Sequence, residues 1–232
     1  MLNQNKHRMV MFQLLNCILH SNLKDYLAFK WWTLCYFLYQ LPRFSTDLDF
    51  DCIKEYPNLM EEMESLLLSV NGITIKDKKD KQFTYFFLIN YWEWEHNIKI
   101  EISKKIYKNT HYETINFFWK PIIAMEKSSI FANKLVALSE RLKNRDLFDV
   151  YYFFSENFPI NEDVIEERTK MKAIEFYKHI YAELPKHYTP NTILAELWDL
   201  ISEKQKAFMK TKIVNEVQWY LQYKIFEKQN PL

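Results

Sequence analysis

Strand-like and helix-like segments occupy different parts of this chain, and that separation most restricts how it can fold. Asp47–Phe50 alternates polar and apolar side chains, while Phe83–Tyr91 and Ile98–Ser103 are rich in β-branched and aromatic residues, so each predicts a strand. From Ser128 onward the segments are charged and helically periodic. They predict helices over 128–142, 145–154, 161–183, 192–209 and 211–228. This order of elements predicts an α+β fold with a boundary near residue 125.

Helices are also predicted in the first half. One covers 8–29, a second covers 33–41 and is closed by Pro42, and a third covers 55–70 before a turn at Asn71-Gly72. We therefore expect two domains. Residues 1–125 form the α+β domain, and residues 126–232 form a helical domain.

The apolar stretch Met9–Leu19 does not predict a signal peptide or a membrane anchor. Gln13 and Asn16 interrupt it and no small-residue cleavage site follows. No stretch approaches the roughly 18 apolar residues that a membrane span requires. We expect a core helix of a cytoplasmic protein that has no membrane partner. Three cysteines without metal-ligand spacing agree with a reducing compartment.

The charge balance excludes a chain that binds nucleic acid through its overall field. There are 31 Lys and Arg against 30 Asp and Glu, so any such contact requires a local basic patch. Hydrophobic residues make up 48% of the chain, which excludes disorder. No HExxH, paired CxxC, GxSxG or P-loop pattern occurs, so zinc hydrolases, dithiol redox enzymes, esterases and Walker-type NTPases have no support.

Two aspartates in Arg43-Phe44-Ser45-Thr46-Asp47-Leu48-Asp49-Phe50 are the strongest chemical signal. Side chains at i and i+2 of a strand point to the same face, so the Asp47 and Asp49 carboxylates are expected to lie close together. Such a pair repels unless a cation neutralises it, and Mg²⁺ is often held by one or two carboxylates plus substrate phosphates. The alternative is a solvated strand face without function.

The surroundings of this pair form a longer pattern. Before it stand Lys30-Trp31-Trp32-Thr33 and an apolar helix, and far behind it follow Lys134-Leu135-Val136-Ala137-Leu138 and Arg145-Asp146-Leu147-Phe148-Asp149. The order resembles the AbiEii/AbiGii-type toxins, minimal nucleotidyltransferases of the DNA polymerase β-like superfamily. Their motifs are Lys-Gly-Gly-Thr, a helix, Arg-Phe-Ser-x-Asp-Leu-Asp-Phe, and later a lysine helix with Arg-Asp-x-x-Asp. The resemblance covers about residues 30–150 and is weaker in the helical tail.

The resemblance implies a nucleotidyltransferase-like mixed β-sheet and a metal-dependent reaction. Asp47 and Asp49 would bind Mg²⁺, with two ions expected and Mn²⁺ as an alternative, and Glu101 is the candidate third carboxylate. Its alternative is an exposed strand charge. Lys134 would contact the triphosphate, where a cation offsets the charge that develops on the leaving group. The alternative for Lys134 is a lysine on a helix surface.

Other residues of the pattern are candidates for binding the nucleotide or arranging the site. Asp146 and Asp149 share a helix face, and the pattern favours a catalytic role for one of them without choosing. Asp146 could instead charge a helix N-terminus. The resemblance also implies nucleotide contacts at the turn that contains Trp31, Trp32 and Thr33. For Arg43, Ser45 and Arg145 it suggests phosphate contacts. Arg43 and Ser45 have the alternative of orienting the aspartates.

Glycine is scarce where the pattern requires it. The chain contains Gly72 alone and seven tryptophans, against roughly 16 glycines at the usual frequency of about 7%. Trp31 and Trp32 replace the Gly-Gly turn, whose backbone must approach phosphate oxygens closely. Further tryptophans in turn-like positions are Trp92, Trp94 and Trp119. We interpret some of these as glycine codons (UGA) translated with a UGA-tryptophan table. The alternative is a genuine Trp-Trp pair that plugs the site.

The sequence therefore predicts an enzyme that transfers an NMP from an NTP to a tRNA 3′ end or to a protein hydroxyl. By resemblance it is the toxin of a toxin–antitoxin or phage-defence system, with a cognate antitoxin as partner. Two alternatives remain. One is a non-catalytic binding protein whose phosphate turn is blocked by Trp31-Trp32. The other is a kinase-like phosphotransferase on the same fold.

Overall fold

A computed structural model describes residues 3–91 and 96–230. The chain forms two compact units. The first runs up to Ile106 and includes Tyr112–Met125, and the second consists of Tyr107–His111 and the chain from Glu126 onward. Trp92 and Trp94, two of the suspected glycine positions, lie outside the described residues.

The first unit contains a mixed sheet of seven strands within the described residues, in the order β3-β4-β5-β2-β1-β7-β6. β2 pairs in parallel with β5, and β1 pairs in parallel with β7, while every other neighbouring pair is antiparallel. The strands are β1 (Leu27–Lys30), β2 (Asp47–Cys52), β3 (Thr74–Lys81), β4 (Thr84–Asn90), β5 (Ile98–Ser103), β6 (Tyr112–Phe117) and β7 (Lys120–Met125).

Within the described residues this sheet is accompanied by a short 3-10 helix (Asn22–Asp25) and by three α-helices: α1 (Gln4–Leu19), α2 (Trp31–Leu38) and α3 (Leu59–Leu68). α1 packs on α3 and β2, while α2 packs on β1 and β2. The face of α1 that contains Met11, Leu14 and Ile18 is fully buried, because these residues recur at helical spacing. Leu48 and Phe50 of β2 are also buried, which leaves the aspartates of β2 on its opposite face.

The second unit is helical apart from its turns and loops. Its helices are α4 (Lys127–Arg141), α5 (Asn144–Ser155), α6 (Glu162–Thr169), α7 (Ala173–His187), α8 (Glu203–Thr211) and α9 (Ile213–Gln229). α4 packs against α5 and α6, and α9 packs against α5 and α7. α4 is buried along most of its length, from Ser128 to Leu138. This unit together with the sheet confirms the α+β prediction.

The loop Tyr107–His111 belongs to the second unit, although it falls between β5 and β6 in the order of the chain. The backbone amides of Lys108 and Asn109 both donate to the Glu167 carboxylate, at 2.8 Å each. The Asn161 side chain donates to the carbonyl of Asn109, at 2.8 Å. These bonds fasten Tyr107–His111 to the helices of the second unit.

Several predicted elements were wrong in extent. The helix predicted over 8–29 ends at Leu19, and Leu27 belongs to β1, a strand that the sequence did not predict. β3, β6 and β7 were also not predicted. β3 lies at the sheet edge and is mostly exposed, so its charged sequence resembled a solvated loop. The helix predicted over 161–183 is broken into α6 and α7.

Two tryptophans adopt backbone angles that favour glycine. Trp31 has φ +67°, and Trp119 has φ +65° in the two-residue turn between β6 and β7, where Phe118 also has positive φ. A hairpin turn with two positive φ angles prefers Asn-Gly, because a Cβ is strained there. Trp119 is moreover 94% exposed, which is unusual for so large an apolar side chain.

None of the helices in the described residues combines the length and the apolarity that a bilayer span requires.

Candidate functional site

The acidic cluster consists of Asp47, Asp49 and Glu101 and lies on two neighbouring strands. β2 and β5 run in parallel with Asp49 opposite Glu101, so the two side chains leave the sheet on the same side. Asp47 is two residues from Asp49 on that face and lies opposite Lys99. The pairing thus brings together the three carboxylates that the sequence analysis placed at a metal site.

Asp49 is the buried member of the acidic cluster, with 9% of its surface exposed. Burial raises the pKa of its carboxyl to about 7, and the neighbouring charge of Asp47 adds to that rise. Lys30 and Lys99 partly offset the effect. Without a bound cation the fold therefore bears an electrostatic cost at Asp49 whenever that carboxyl is ionised.

A lysine lies against the acidic cluster. The Lys99 Nζ is 3.1 Å from a Glu101 carboxylate oxygen and 3.5 Å from an Asp47 carboxylate oxygen. Burial disfavours its charged form, but Asp47, Glu101 and Asp49 outweigh that effect and raise the pKa of the Lys99 ammonium. Lys99 therefore places a positive charge beside these carboxylates.

A third aspartate of β2 holds the lysine that precedes the tryptophan turn. The Lys30 Nζ lies 2.5 Å from an Asp51 carboxylate oxygen, and the Tyr112 hydroxyl donates to the other oxygen at 2.8 Å. Lys30 and Asp51 are both buried. This ion pair fixes the end of β1, directly before the turn into α2.

The turn into α2 is tied to the start of β2 by two hydroxyls. The Thr33 hydroxyl donates to the backbone carbonyl of Asp47 and is 2.7 Å from the Ser45 hydroxyl. Both hydroxyl residues are buried, so in this state they position β2 rather than face solvent. Arg43 is buried as well and donates to the carbonyl of Phe44, at 3.2 Å.

The two tryptophans of this turn pack edge to face, with ring centroids 4.6 Å apart. The guanidinium of Arg43 lies over the ring of Trp32, 5.6 Å from its centroid, and the Lys30 Nζ is 5.3 Å from that of Trp31. Lys30 at the turn and Arg43 before β2 are thus both in contact with indole rings. The backbone at 31–32 carries two bulky side chains, which would obstruct the close approach of a phosphate.

In the second unit Lys134 lies between two aspartates. Its Nζ is 2.8 Å from a carboxylate oxygen of Asp146 and 2.8 Å from one of Asp149. All three side chains are buried, with Lys134 1% exposed. The structure thus places both aspartates of the Arg-Asp-x-x-Asp pattern on the predicted lysine, and in this state the ammonium is used for internal pairing.

The arginines beside this group differ in role. Arg141 contacts Asp146 through Nε at 2.6 Å and Nη2 at 2.9 Å, which adds a second cation to the carboxylate. Arg145, a predicted phosphate contact, instead lies 3.6 Å from Glu196 and its side chain is 40% exposed. The structure does not bring Arg145 to the Lys134 group.

The Lys134 pairing predicts a pH dependence of stability. Burial would raise the pKa of Asp146, but Lys134 and Arg141 outweigh it and lower that pKa to about 2. Because the folded-state pKa lies below the unfolded one, the stabilisation is complete above about pH 4 and is lost as the pH falls toward 2. We expect the unfolding free energy of the wild type to exceed that of Asp146→Asn by about 2 kcal/mol near neutral pH, with the difference shrinking below pH 4.

Urea unfolding from pH 7 down to pH 3 measures this difference. Glu183→Gln is the matched control, because Glu183 forms exposed pairs with Lys186 and His187, and its removal is expected to change little at any pH. A difference between wild type and Asp146→Asn that stays constant with pH would contradict the pairing as the source of the stabilisation.

Lys99, Lys30 and Asp51 are the residues that sequence reasoning missed. Asp51 continues the alternation of Asp47 and Asp49, and Lys99 stands two residues before Glu101. Because every second residue of a strand points to the same face, this spacing could have identified both residues as neighbours of the candidate site. Lys30 is part of the Lys-Trp-Trp-Thr motif, but its ion pair with Asp51 is not visible in the sequence.

The donor set of the acidic cluster suits Mg²⁺, because it consists of carboxylate oxygens. Among residues 3–91 and 96–230, however, no three His, Cys, Asp or Glu side chains are arranged to hold a metal ion. A site completed by substrate phosphates fits both facts, since Mg²⁺ commonly uses one or two carboxylates and takes further oxygens from phosphate.

Known proteins are similar to this chain in sequence and in fold. The family model described as nucleotidyl transferase AbiEii toxin, type IV toxin–antitoxin system, matches residues 13–223. The crystal structure of JHP933 from Helicobacter pylori is similar with a TM-score of 0.59 and 19% identity, over 97% of this chain and 94% of that one. A second H. pylori structure, of a protein assigned as a nucleotidyltransferase, has a TM-score of 0.61 and 20% identity, over 99% and 98%. No curated protein is similar enough to count as a match.

Proposed function

Because the chain belongs to the AbiEii family of nucleotidyl transferase toxins, we propose that it transfers an NMP from an NTP to an acceptor hydroxyl and releases pyrophosphate. The observation that carries the proposal is the acidic cluster, with Asp47 and Asp49 on β2 beside Glu101 on β5. The hydrogen bond from Thr33 to the carbonyl of Asp47 supports it, because that bond joins the turn into α2 to the same strand. A helix N-terminus is a favourable place for phosphate.

In the proposed reaction the acceptor oxygen attacks the α-phosphorus. The bond from that phosphorus to the β-phosphate oxygen breaks, and the hydroxyl proton passes to a carboxylate of the cluster. Asp47 and Asp49 would hold Mg²⁺, with Glu101 as the third carboxylate and Mn²⁺ as an alternative. A divalent ion held there would neutralise charge on the phosphates and favour ionisation of the attacking hydroxyl. Asp47, Asp49 and Glu101 would themselves orient the triphosphate against the acceptor.

The acceptor is proposed to be a tRNA 3′ end or a protein hydroxyl in the cytoplasm. A cognate antitoxin is the proposed partner, because the family is that of a type IV toxin–antitoxin system, and phage defence is the proposed context. Lys134, Asp146 and Asp149 are proposed to join the reaction only if substrate loosens their mutual pairing, since a fully paired ammonium has little capacity to bind phosphate.

The function is tested by label transfer. We expect label from one or more α-labelled NTPs, with Mg²⁺, to appear on RNA or on protein, and no label from γ-labelled NTPs. Transfer of the γ-label would instead identify a kinase. Binding of Mg²⁺–NTP without any transfer would identify a non-catalytic binding protein, a second candidate that the two indoles at the phosphate turn favour.

A further inference from the structure

Lys99 is a cation that lies directly against the acidic cluster. Its Nζ approaches Glu101 at 3.1 Å and Asp47 at 3.5 Å, and the residue stands opposite Asp47 in the β2–β5 pairing. An ammonium at these distances contacts the oxygens that a divalent ion would need. Lys99 and a metal ion therefore cannot both use those oxygens fully.

An ordinary surface ion pair is the alternative interpretation, because the side chain of Lys99 is 35% exposed. Exposed pairs contribute little to stability, and that interpretation predicts little effect of Lys99 beyond its own contact. The position of Lys99 distinguishes the two interpretations. It is paired with two of the three proposed metal-binding carboxylates at once, whereas Lys104 near the end of the same strand pairs with Asp80 on the β3–β4 hairpin.

We propose that Lys99 is a positioning residue that competes with a divalent ion for Asp47 and Glu101, so that the ion enters together with the triphosphate and not alone. This inference rests on the proposed function. A lone ion must displace an ammonium, and within the described part of the chain no three His, Cys, Asp or Glu side chains are already arranged to surround it. A triphosphate supplies oxygens that complete the coordination of the ion. Its negative charge can also pair with the Lys99 ammonium after the ion has displaced that ammonium from the carboxylates.

The test measures Mn²⁺ binding without nucleotide, and electron paramagnetic resonance quantifies the free ion. We expect weak binding by the wild type and roughly tenfold or more tighter binding by Lys99→Met, which removes the charge and keeps the aliphatic chain. Lys99→Arg retains the charge and should bind like the wild type. Lys104→Met, the matched control, makes the same charge change in the same unit and should leave binding unchanged. Lys99→Gln replaces Lys99→Met if the methionine variant fails to fold.

The outcomes separate this inference from the proposed function. Equal or weaker Mn²⁺ binding by the charge-removing variant, relative to the wild type, overturns the role of Lys99. The same follows if Lys104→Met tightens binding as much, because the effect would then be one of overall charge. Asp49→Asn should abolish the binding gained by Lys99→Met. If it does not, the ion binds elsewhere, and the metal site of the proposed function fails.

Discussion

Replacing Asp49 with asparagine is expected to abolish nucleotidyl transfer and at the same time to stabilise the fold. Transfer should fall by at least about 10³-fold, because the amide loses the negative charge with which Asp49 would hold the metal and offset the reacting centre. In metal-free buffer above pH 7, removal of a buried carboxylate with a pKa of about 7 should raise the unfolding free energy by roughly 2–4 kcal/mol. A substitution that lowers activity while it raises stability is typical of a functional residue.

The pH dependence makes this test sharper. The folded-state pKa of Asp49 lies above its unfolded value, so the wild type loses stability as the pH rises from about 4 to 7, and Asp49→Asn should not lose that part. Urea unfolding with a chelator, together with α-label transfer, measures both effects. Asp80→Asn is the control, because Asp80 is an exposed strand carboxylate paired with Lys104. Loss of transfer accompanied by loss of stability would mean that Asp49 is only structural.

Glycine at positions 31 and 32 is expected to raise transfer by at least about 100-fold over the chain with both tryptophans. The φ of +67° at Trp31 costs a glycine nothing, and removing both indoles exposes the backbone amides at the start of α2 to phosphate oxygens. The gain corresponds to one well-placed hydrogen-bond donor to a developing charge. The variant Trp31→Gly/Trp32→Gly is compared with the unaltered chain in the α-label assay. Equal transfer by the two would show that the indoles do not obstruct the turn.

Trp119→Gly is the matched control for that substitution. It makes the same change at φ +65°, in the β6–β7 turn. It should stabilise the fold by about 1 kcal/mol and leave transfer unchanged, because left-handed backbone angles strain any residue with a Cβ. The gene provides an independent check. We expect UGA at codons 31 and 119, and UGG at both would refute the interpretation that they encode glycine.

Strands were predicted correctly where polar and apolar residues alternate within the segment. They were missed where only pairing with a neighbouring strand makes the segment a strand. Ile98–Ser103 and the start of β2 follow from their own residues, since one face is apolar and the other polar. β1 has four residues, all buried, so its Leu-Ala-Phe-Lys sequence shows no alternation and merges with the apolar pattern of α1. β3 is strongly charged and forms only because β4 supplies its hydrogen bonds. Such partners are not visible in a linear sequence.

The sequence predicts which residue types form the candidate site, but it does not predict which side chains form ion pairs there. Asp47 and Asp49 were candidates because of their spacing on a strand, and Glu101 because of its strand and the family resemblance. The parallel register places Asp49 opposite Glu101. The position of Lys99 against them, and that of Lys134 between Asp146 and Asp149, depend on side-chain reach across elements. Charge neutralisation explains both pairings after the fact, since each brings a cation to two carboxylates.

The loop Tyr107–His111 has a consequence for how this protein can be divided. Its amides are fastened to Glu167, far along the chain, while strands of the sheet precede and follow it. A fragment that ends at residue 125 would keep the loop and lose its anchor, and a fragment that begins at 126 would keep the anchor and lose the loop. No single cleavage releases two intact halves. Either fragment expressed alone would therefore lack the hydrogen bonds between this loop and Glu167.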